Sequence, residues 1–386
     1  MWLAAAQLAV MYTGSTVLTP LYRLYREAFG FSKLTLTLVY AAYALGNLIA
    51  LLVLGRLSDQ AGRRVANVAA LALAVLATLL YLAASGTSWL VAGRIVSGLA
   101  IGLAASAATA WVAELEADKR EASVYTTAGN FAGLAFGALL AGILASYLPW
   151  PMRLSYVVYL ALLLSLAGLV WRMPETVKAP VQRVEQLSLR PRIGVPREMF
   201  AAFVAPAVTA FATFAVIGYY AALIPGLMAE ALGEPSPAAG GAVVALVAAL
   251  GLVASFLTRG LSSRAAMLAG LALLLPGLAL VPLAELRHSL ALLICGAVLT
   301  GPATVLSYRG SLQVLNEMAP TEQRGEMTAS YIVFCYAGNS VPIVGVGVLS
   351  SLTRAFTADL TFAVIIAALA VAALVTSALR LRGQKS

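Results

Sequence analysis

Two arginines of this chain lie inside apolar stretches, where a fixed charge needs a reason. Arg94 opens the run Arg-Ile-Val-Ser-Gly-Leu-Ala-Ile-Gly, and Arg309 follows Tyr308 deep in a later run. A guanidinium stays protonated, so in a low-dielectric setting it requires an anionic partner or several hydrogen bonds. At the centre of a membrane such a charge costs about 2.5 to 3.5 kcal/mol on insertion scales. The chemistry this suggests is recognition of a negatively charged solute or ion, with Arg309 as main contact and Arg94 as secondary. Two structural alternatives stand beside it. Arg94 is close enough to a span end to snorkel, and Arg309 can bond to helix carbonyls freed near Pro302.

The sixteen carboxylates point elsewhere. Each of them, from Glu27 to Asp359, falls at a span end or in a loop by hydropathy, and the one histidine, His288, is in a loop. The sequence therefore supplies no mid-membrane acid to titrate. Catalysis by a metal or a nucleotide loop is also unsupported: Cys295 and Cys335 lie within apolar runs without metal-ligand spacing, and the Gly-x-x-x-x-Gly-Lys-Ser/Thr pattern is absent. The chain reads as a non-enzyme with no cofactor.

The elements that must position these residues follow from composition. The 386 residues are 61% hydrophobic and 11% charged, with mean hydropathy +0.92, which places the chain in a bilayer. The net charge of +9 is scattered between apolar runs and makes no basic face, so nucleic acid is excluded as a partner. Apolar windows of membrane-spanning length begin near Leu3, Leu34, Val65, Trp89, Ala122, Leu154, Met199, Ala238, Ala265, Leu290, Met327 and Leu360. The first, running to about Leu21, reads as a span and not as a cleaved leader. The longest polar interruption, Arg172 to Arg197, separates six spans from six. This gives an all-α integral membrane protein with domains over residues 1–172 and 198–386 and a linker over 173–197. With both termini placed in the cytoplasm, seventeen Lys and Arg fall inside and six outside, the bias expected of a multi-pass protein in the plasma membrane.

The halves echo one another at an offset of 204 residues. Arg56-Leu57-Ser58-Asp59 aligns with Gly260-Leu261-Ser262-Ser263, and Ala117-Asp118-Lys119-Arg120 with Thr321-Glu322-Gln323-Arg324. The second copy has lost the Asp and the Gly-Arg-Arg that closes the first.

The decapeptide Gly55-Arg-Leu-Ser-Asp59-Gln-Ala-Gly62-Arg63-Arg64 resembles the loop between spans 2 and 3 of the major facilitator superfamily. Glu317-Met-Ala-Pro320 with Arg324-Gly325 has the form found after span 10 in many of its members, with Glu114 through Arg120 a looser first-half counterpart. Arg94 resembles the arginine of the span 4 motif, tied in that family to proton coupling. Gly133, Gly137 and Gly142 resemble the span 5 antiporter motif, with Ala138 in place of its proline, though small residues at helical spacing also serve plain packing.

The resemblance covers essentially the whole chain and implies two six-helix bundles around a central cavity. It implies a secondary transporter working by alternating access, an exporter of amphiphilic compounds, anionic ones among them, coupled to protons or another ion. Uptake or uniport of an organic anion or sugar is the alternative. On this reading the cavity candidates are Tyr12, Arg94, Tyr219, Tyr220, Tyr308, Arg309, Asn130 and Asn339. The conformational set is Gly55, Asp59, Gly62, Arg63, Arg64, Glu114, Arg120, Glu317 and Arg324, with Asp59 placed against the start of span 11. The partners are a small solute and the lipid bilayer, and the protein is a monomer.

Overall fold

The structure, a computed structural model, describes residues 2–55, 57–177 and 193–383, and the side chains of residues 119, 120 and 379–383 lie outside the description. Among the described residues every regular element is a helix. A chain this apolar has few alternatives, because backbone groups in hydrocarbon must be satisfied within their own segment.

The order begins with α1 (Trp2–Thr16), a 3-10 turn (Thr19–Leu21), α2 (Tyr22–Phe29) and α3 (Lys33–Ile49), which runs on through a π turn (Ala50–Leu54). Then come α4 (Leu57–Ala61), α5 (Arg63–Leu82), α6 (Thr87–Leu115), α7 (Lys119–Tyr147) and α8 (Leu154–Val170). The second half holds α9 (Arg197–Ala222), α10 (Ile224–Ala231), α11 (Pro237–Leu257), α12 (Ser263–Leu286), α13 (Leu290–Met318), α14 (Arg324–Leu352) and α15 (Ala355–Gly383). Ten of the helical segments are long and apolar enough to cross a membrane, and α8 is a shorter apolar helix. With α1, of 15 residues, these correspond among the described residues to the twelve spans that hydropathy predicts.

The helices begin within a few residues of the expected positions except the last. It starts at Ala355, not near Leu360, because a helix can carry an acid in its second turn that a hydropathy window excludes. That shift brings Asp359 inside a helix.

The chain divides into two compact units. One comprises Met1–Phe31, Leu38–Pro191 and Ser236–Ala245; the other Ser32–Thr37, Arg192–Pro235 and Leu246–Ser386. Most of the segment expected as a linker, 178–192, lies outside the described residues.

In the first unit α1 packs on α7 and α5 on α6. Its core is built of small and branched side chains around Trp111, Leu8, Met11 and Leu163. The span 5 glycines have a packing role here: a Cβ on Gly133 would lie 2.2 Å from the Ala9 carbonyl oxygen, and one on Gly137 2.3 Å from that of Thr13. Only glycine lets the two backbones come this close. In the second unit α12 pairs with α13 and α9 with α14, over a core of Phe203, Leu315, Met327, Tyr331 and Cys335.

Candidate functional site

The loop after α3 is organised by Arg63. Its guanidinium donates to both carboxylate oxygens of Glu114, at 2.7 Å from Nη2 to Oε1 and 3.2 Å from Nε to Oε2. Nη1 reaches the Ser58 hydroxyl at 2.8 Å and Asp59 Oδ1. The Thr176 hydroxyl also donates to Glu114. A planar fork with five donors suits this divided task, which a point-charge ammonium could not perform.

Asp59 remains 60% exposed, so Arg63 is its partner within the loop.

The turn into α5 depends on Gly62. Its φ of 107° and ψ of 148° are open to glycine alone, and a Cβ there would meet the Glu175 carboxylate at 2.5 Å. That carboxylate accepts from the backbone N–H of Arg63 at 2.8 Å and of Arg64 at 3.0 Å. Glu175 thus caps α5 from 112 residues away, satisfying orphan donors at the positive end of the helix. Arg64 contributes its N–H, while its side chain is exposed. Gly55 closes the π turn. Arg120 carries one of the side chains outside the description.

The second-half counterpart is sparser. Ser262 caps α12 through the Ala265 N–H at 3.4 Å, and the Ser263 hydroxyl donates to Glu317. Arg324 is exposed at the start of α14. Beside Glu317 lies a cavity of about 370 Å³ whose apolar walls also carry Arg264.

Arg94 does not snorkel. It is 1% exposed, donates to the Ser15 carbonyl at 3.1 Å and to the Tyr22 hydroxyl, and stands over the rings of Tyr22, Tyr40 and Tyr43 at 5.2, 5.8 and 5.5 Å. Three ring faces and a carbonyl at the C-terminal end of α1 offset its charge.

Arg309 solves the same problem with a helix end alone. Its Nη2 donates to the Thr258 carbonyl at 2.8 Å and its Nη1 to that of Ser255 at 3.4 Å, both at the C-terminus of α11. The structural alternative is corrected, since the carbonyls come from the end of α11 and not from the break at Pro302. Carbonyls at a negative helix end thus take part of the charge of each arginine, while the Nε of both is buried without a hydrogen-bond partner.

The other cavity candidates separate. Tyr219 and Tyr220 are both buried: Tyr219 donates to Asp359 Oδ1 at 2.7 Å and stacks on Phe362, and Tyr220 meets the Thr300 hydroxyl at 3.4 Å. Asn339 is buried where Gly218 of α9 crosses α14. Tyr12 and Asn130 are partly exposed, and Asn130 Oδ1 is buried without a hydrogen-bond partner.

Tyr308 stays partly exposed, in an aromatic group with Phe214 of α9 and Tyr336 of α14. Phe214 meets Tyr308 edge to face at 5.4 Å and Tyr336 at 5.9 Å. Glu175, Thr176, Tyr22, Tyr40 and Phe214 were not expected. Their partners are distant in sequence, and no local spacing marks them.

A helical protein with ten long apolar segments among its described residues, arranged in two units with an arginine and carboxylate hub in the loop before α5, belongs to the class of multi-span membrane transporters. Residues 4–342 match the family model of the Major Facilitator Superfamily, and the chain is a member of that family. Among solved structures it is similar to a bacterial homologue of the human lysosomal transporter Spinster, in an inward-facing and unoccupied conformation. That match has TM-score 0.76 and 15% identity, over 97% of this chain and 96% of the other. It is also similar to a D-xylose–proton symporter, with TM-score 0.76 and 16% identity, over 97% of this chain and 95% of the other. At these identities the likeness concerns the fold. No curated relative matches the sequence.

Proposed function

We propose that this protein is a secondary transporter of the plasma membrane that exports small amphiphilic compounds by alternating access, driven by an ion gradient. The observation that carries the substrate class is the partly exposed aromatic group of Phe214, Tyr308 and Tyr336. Arg309, next in sequence to Tyr308, is turned to the end of α11, so the group offers aromatic ring faces in place of a fixed charge. Such a surface suits a molecule with an apolar body and one or two polar groups.

The cytoplasmic hub supplies the conformational element. Asp59 and Glu114 share Arg63, and redistribution of that guanidinium between two carboxylates is a discrete two-state change of the kind that gates can use. Asp59→Asn is expected to slow transport while the protein still folds and binds its substrate.

Purified protein in liposomes, given a panel of amphiphilic dyes, sugars and organic acids under imposed ion gradients, tests the reading. Gradient-dependent dye export that falls on Phe214→Ala and Tyr308→Ala is expected. Uptake of a sugar or organic anion with no dye movement overturns it.

A further inference from the structure

Among the described residues Asp359 is the only carboxylate less than a tenth exposed. It sits in the second turn of α15, within the second unit, at 3% exposure. The Tyr219 hydroxyl donates to its Oδ1 at 2.7 Å, and the ring of Tyr219 is fixed by stacking on Phe362, 4.5 Å away and 19° from parallel. Its Oδ2 has Lys33 Nζ at 3.7 Å, an ion contact longer than a hydrogen bond. Lys33 is 21% exposed, at the first residue of α3.

Two further acids act on this site. Glu285 of α12 interacts with Asp359 and Lys33, with its Oε2 buried and without a hydrogen-bond partner, and Glu230 of α10 acts on both Asp359 and Glu285. His288, after α12, faces Glu285. The Lys33 ammonium thus acts on both Asp359 and Glu285, and the more buried of the two keeps an oxygen with no donor closer than 3.7 Å. A buried ion pair is weak support for stability, and a buried ionisable group in a membrane segment marks an ion path.

We propose that Asp359 is the proton-carrying carboxylate of this transporter, exchanging Lys33 for a proton, with Tyr219 as a positioning residue. The site rests on the reading of the protein as ion-driven and names the ion. On loading, Asp359 Oδ2 takes a proton from hydronium and leaves water, while Lys33 remains an ammonium and moves off. Release reverses both steps. Tyr219 keeps Oδ1 bonded throughout, so the proton is directed to Oδ2.

Two measurements on the full-length protein decide the matter. In pH-difference infrared spectra a protonated-carboxyl band should grow as pH falls, survive Glu285→Gln, disappear in Asp359→Asn and return displaced in Asp359→Glu. In proteoliposomes, dye efflux by Asp359→Asn should lose its response to a pH gradient, and Lys33→Met combined with Asp359→Asn should not restore it. Tyr219→Phe should shift the pH midpoint of the band. Melting in detergent verifies that each variant is folded. A band that persists in Asp359→Asn, a gradient response that survives it, or restoration by the double variant overturns the proposal and leaves a structural ion pair. If the wild type moves no dye, the export reading fails, and the infrared band still decides the fate of Asp359.

Discussion

The loops that open α5 and α12 descend from one repeated pattern, yet they are fastened by different physics. The first hangs on a charge hub in which Arg63 bonds Glu114, Asp59 and Ser58 while Glu175 caps the helix from another part of the chain. The second has a local serine cap and one hydroxyl bond, from Ser263 to Glu317. Loss of the Asp and of Gly-Arg-Arg has thus removed a network and left the carboxylate at the end of α13 in place. Ion pairs can trade partners as conformations change, whereas a serine cap only starts a helix. Under the proposed function, this difference assigns the switching element to the first loop.

The first loop is disrupted most severely at Gly62. Gly62→Ala forces a side chain into a backbone region open to glycine alone and drives it against Glu175. About 3 kcal/mol of destabilisation is expected from the strained conformation. It would be measured as a lower melting temperature in detergent, with slowed transport. Alanine at Gly260, which has open space where its Cβ would be, should leave melting unchanged.

Arg63→Ala comes next. It removes the charged partner of Glu114 and Asp59 together, at about 2 kcal/mol for charge-assisted bonds that are partly open to water. Arg63→Lys should recover part of the stability but little of the transport, because an ammonium cannot hold Glu114 by two nitrogens and Ser58 by a third. Full transport by the lysine variant would reduce the hub to a positive charge.

On the other side of the comparison, Ser262→Ala should cost about 0.5 kcal/mol, the low end for an N-cap, since the bond it deletes is 3.4 Å long. A loss as large as that of Arg63→Ala would show that the second loop is fastened as firmly as the first.

What the sequence disclosed, and what it did not, follows the same division between local and distant. Helix positions were readable because each span is a contiguous apolar run, and the first loop because its pattern is contiguous too. Glu175 could not be found, since it lies 112 residues from the N–H it accepts. Arg94 and Arg309 were visible as buried charges, but their partners are carbonyls at the ends of α1 and α11, and every residue has a carbonyl. Asp359 was legible as an acid at a span end, and it stands in the second turn of α15, but its partners were not legible. Hydropathy treats an acid as the end of a span, although one bonded to Tyr219 and facing Lys33 can lie within a helix.

The smallest effect is expected at Glu317, and it sharpens the comparison because the same change can be made in both halves. Glu114→Gln takes the charge from an oxygen pair that receives three guanidinium contacts, and its amide turns an N–H group toward donors that need an acceptor. Glu317→Gln keeps an amide oxygen for the Ser263 hydroxyl, which is free to rotate toward it. The bond changes from charge-assisted to neutral at an exposed position, so melting should move by no more than about 0.5 kcal/mol equivalent. Transport should likewise fall at Glu114→Gln and hold at Glu317→Gln. If Glu317→Gln instead slows transport as much as Glu114→Gln while melting is unchanged, the second carboxylate shares the gating role, and the asymmetry between the two loops is structural only.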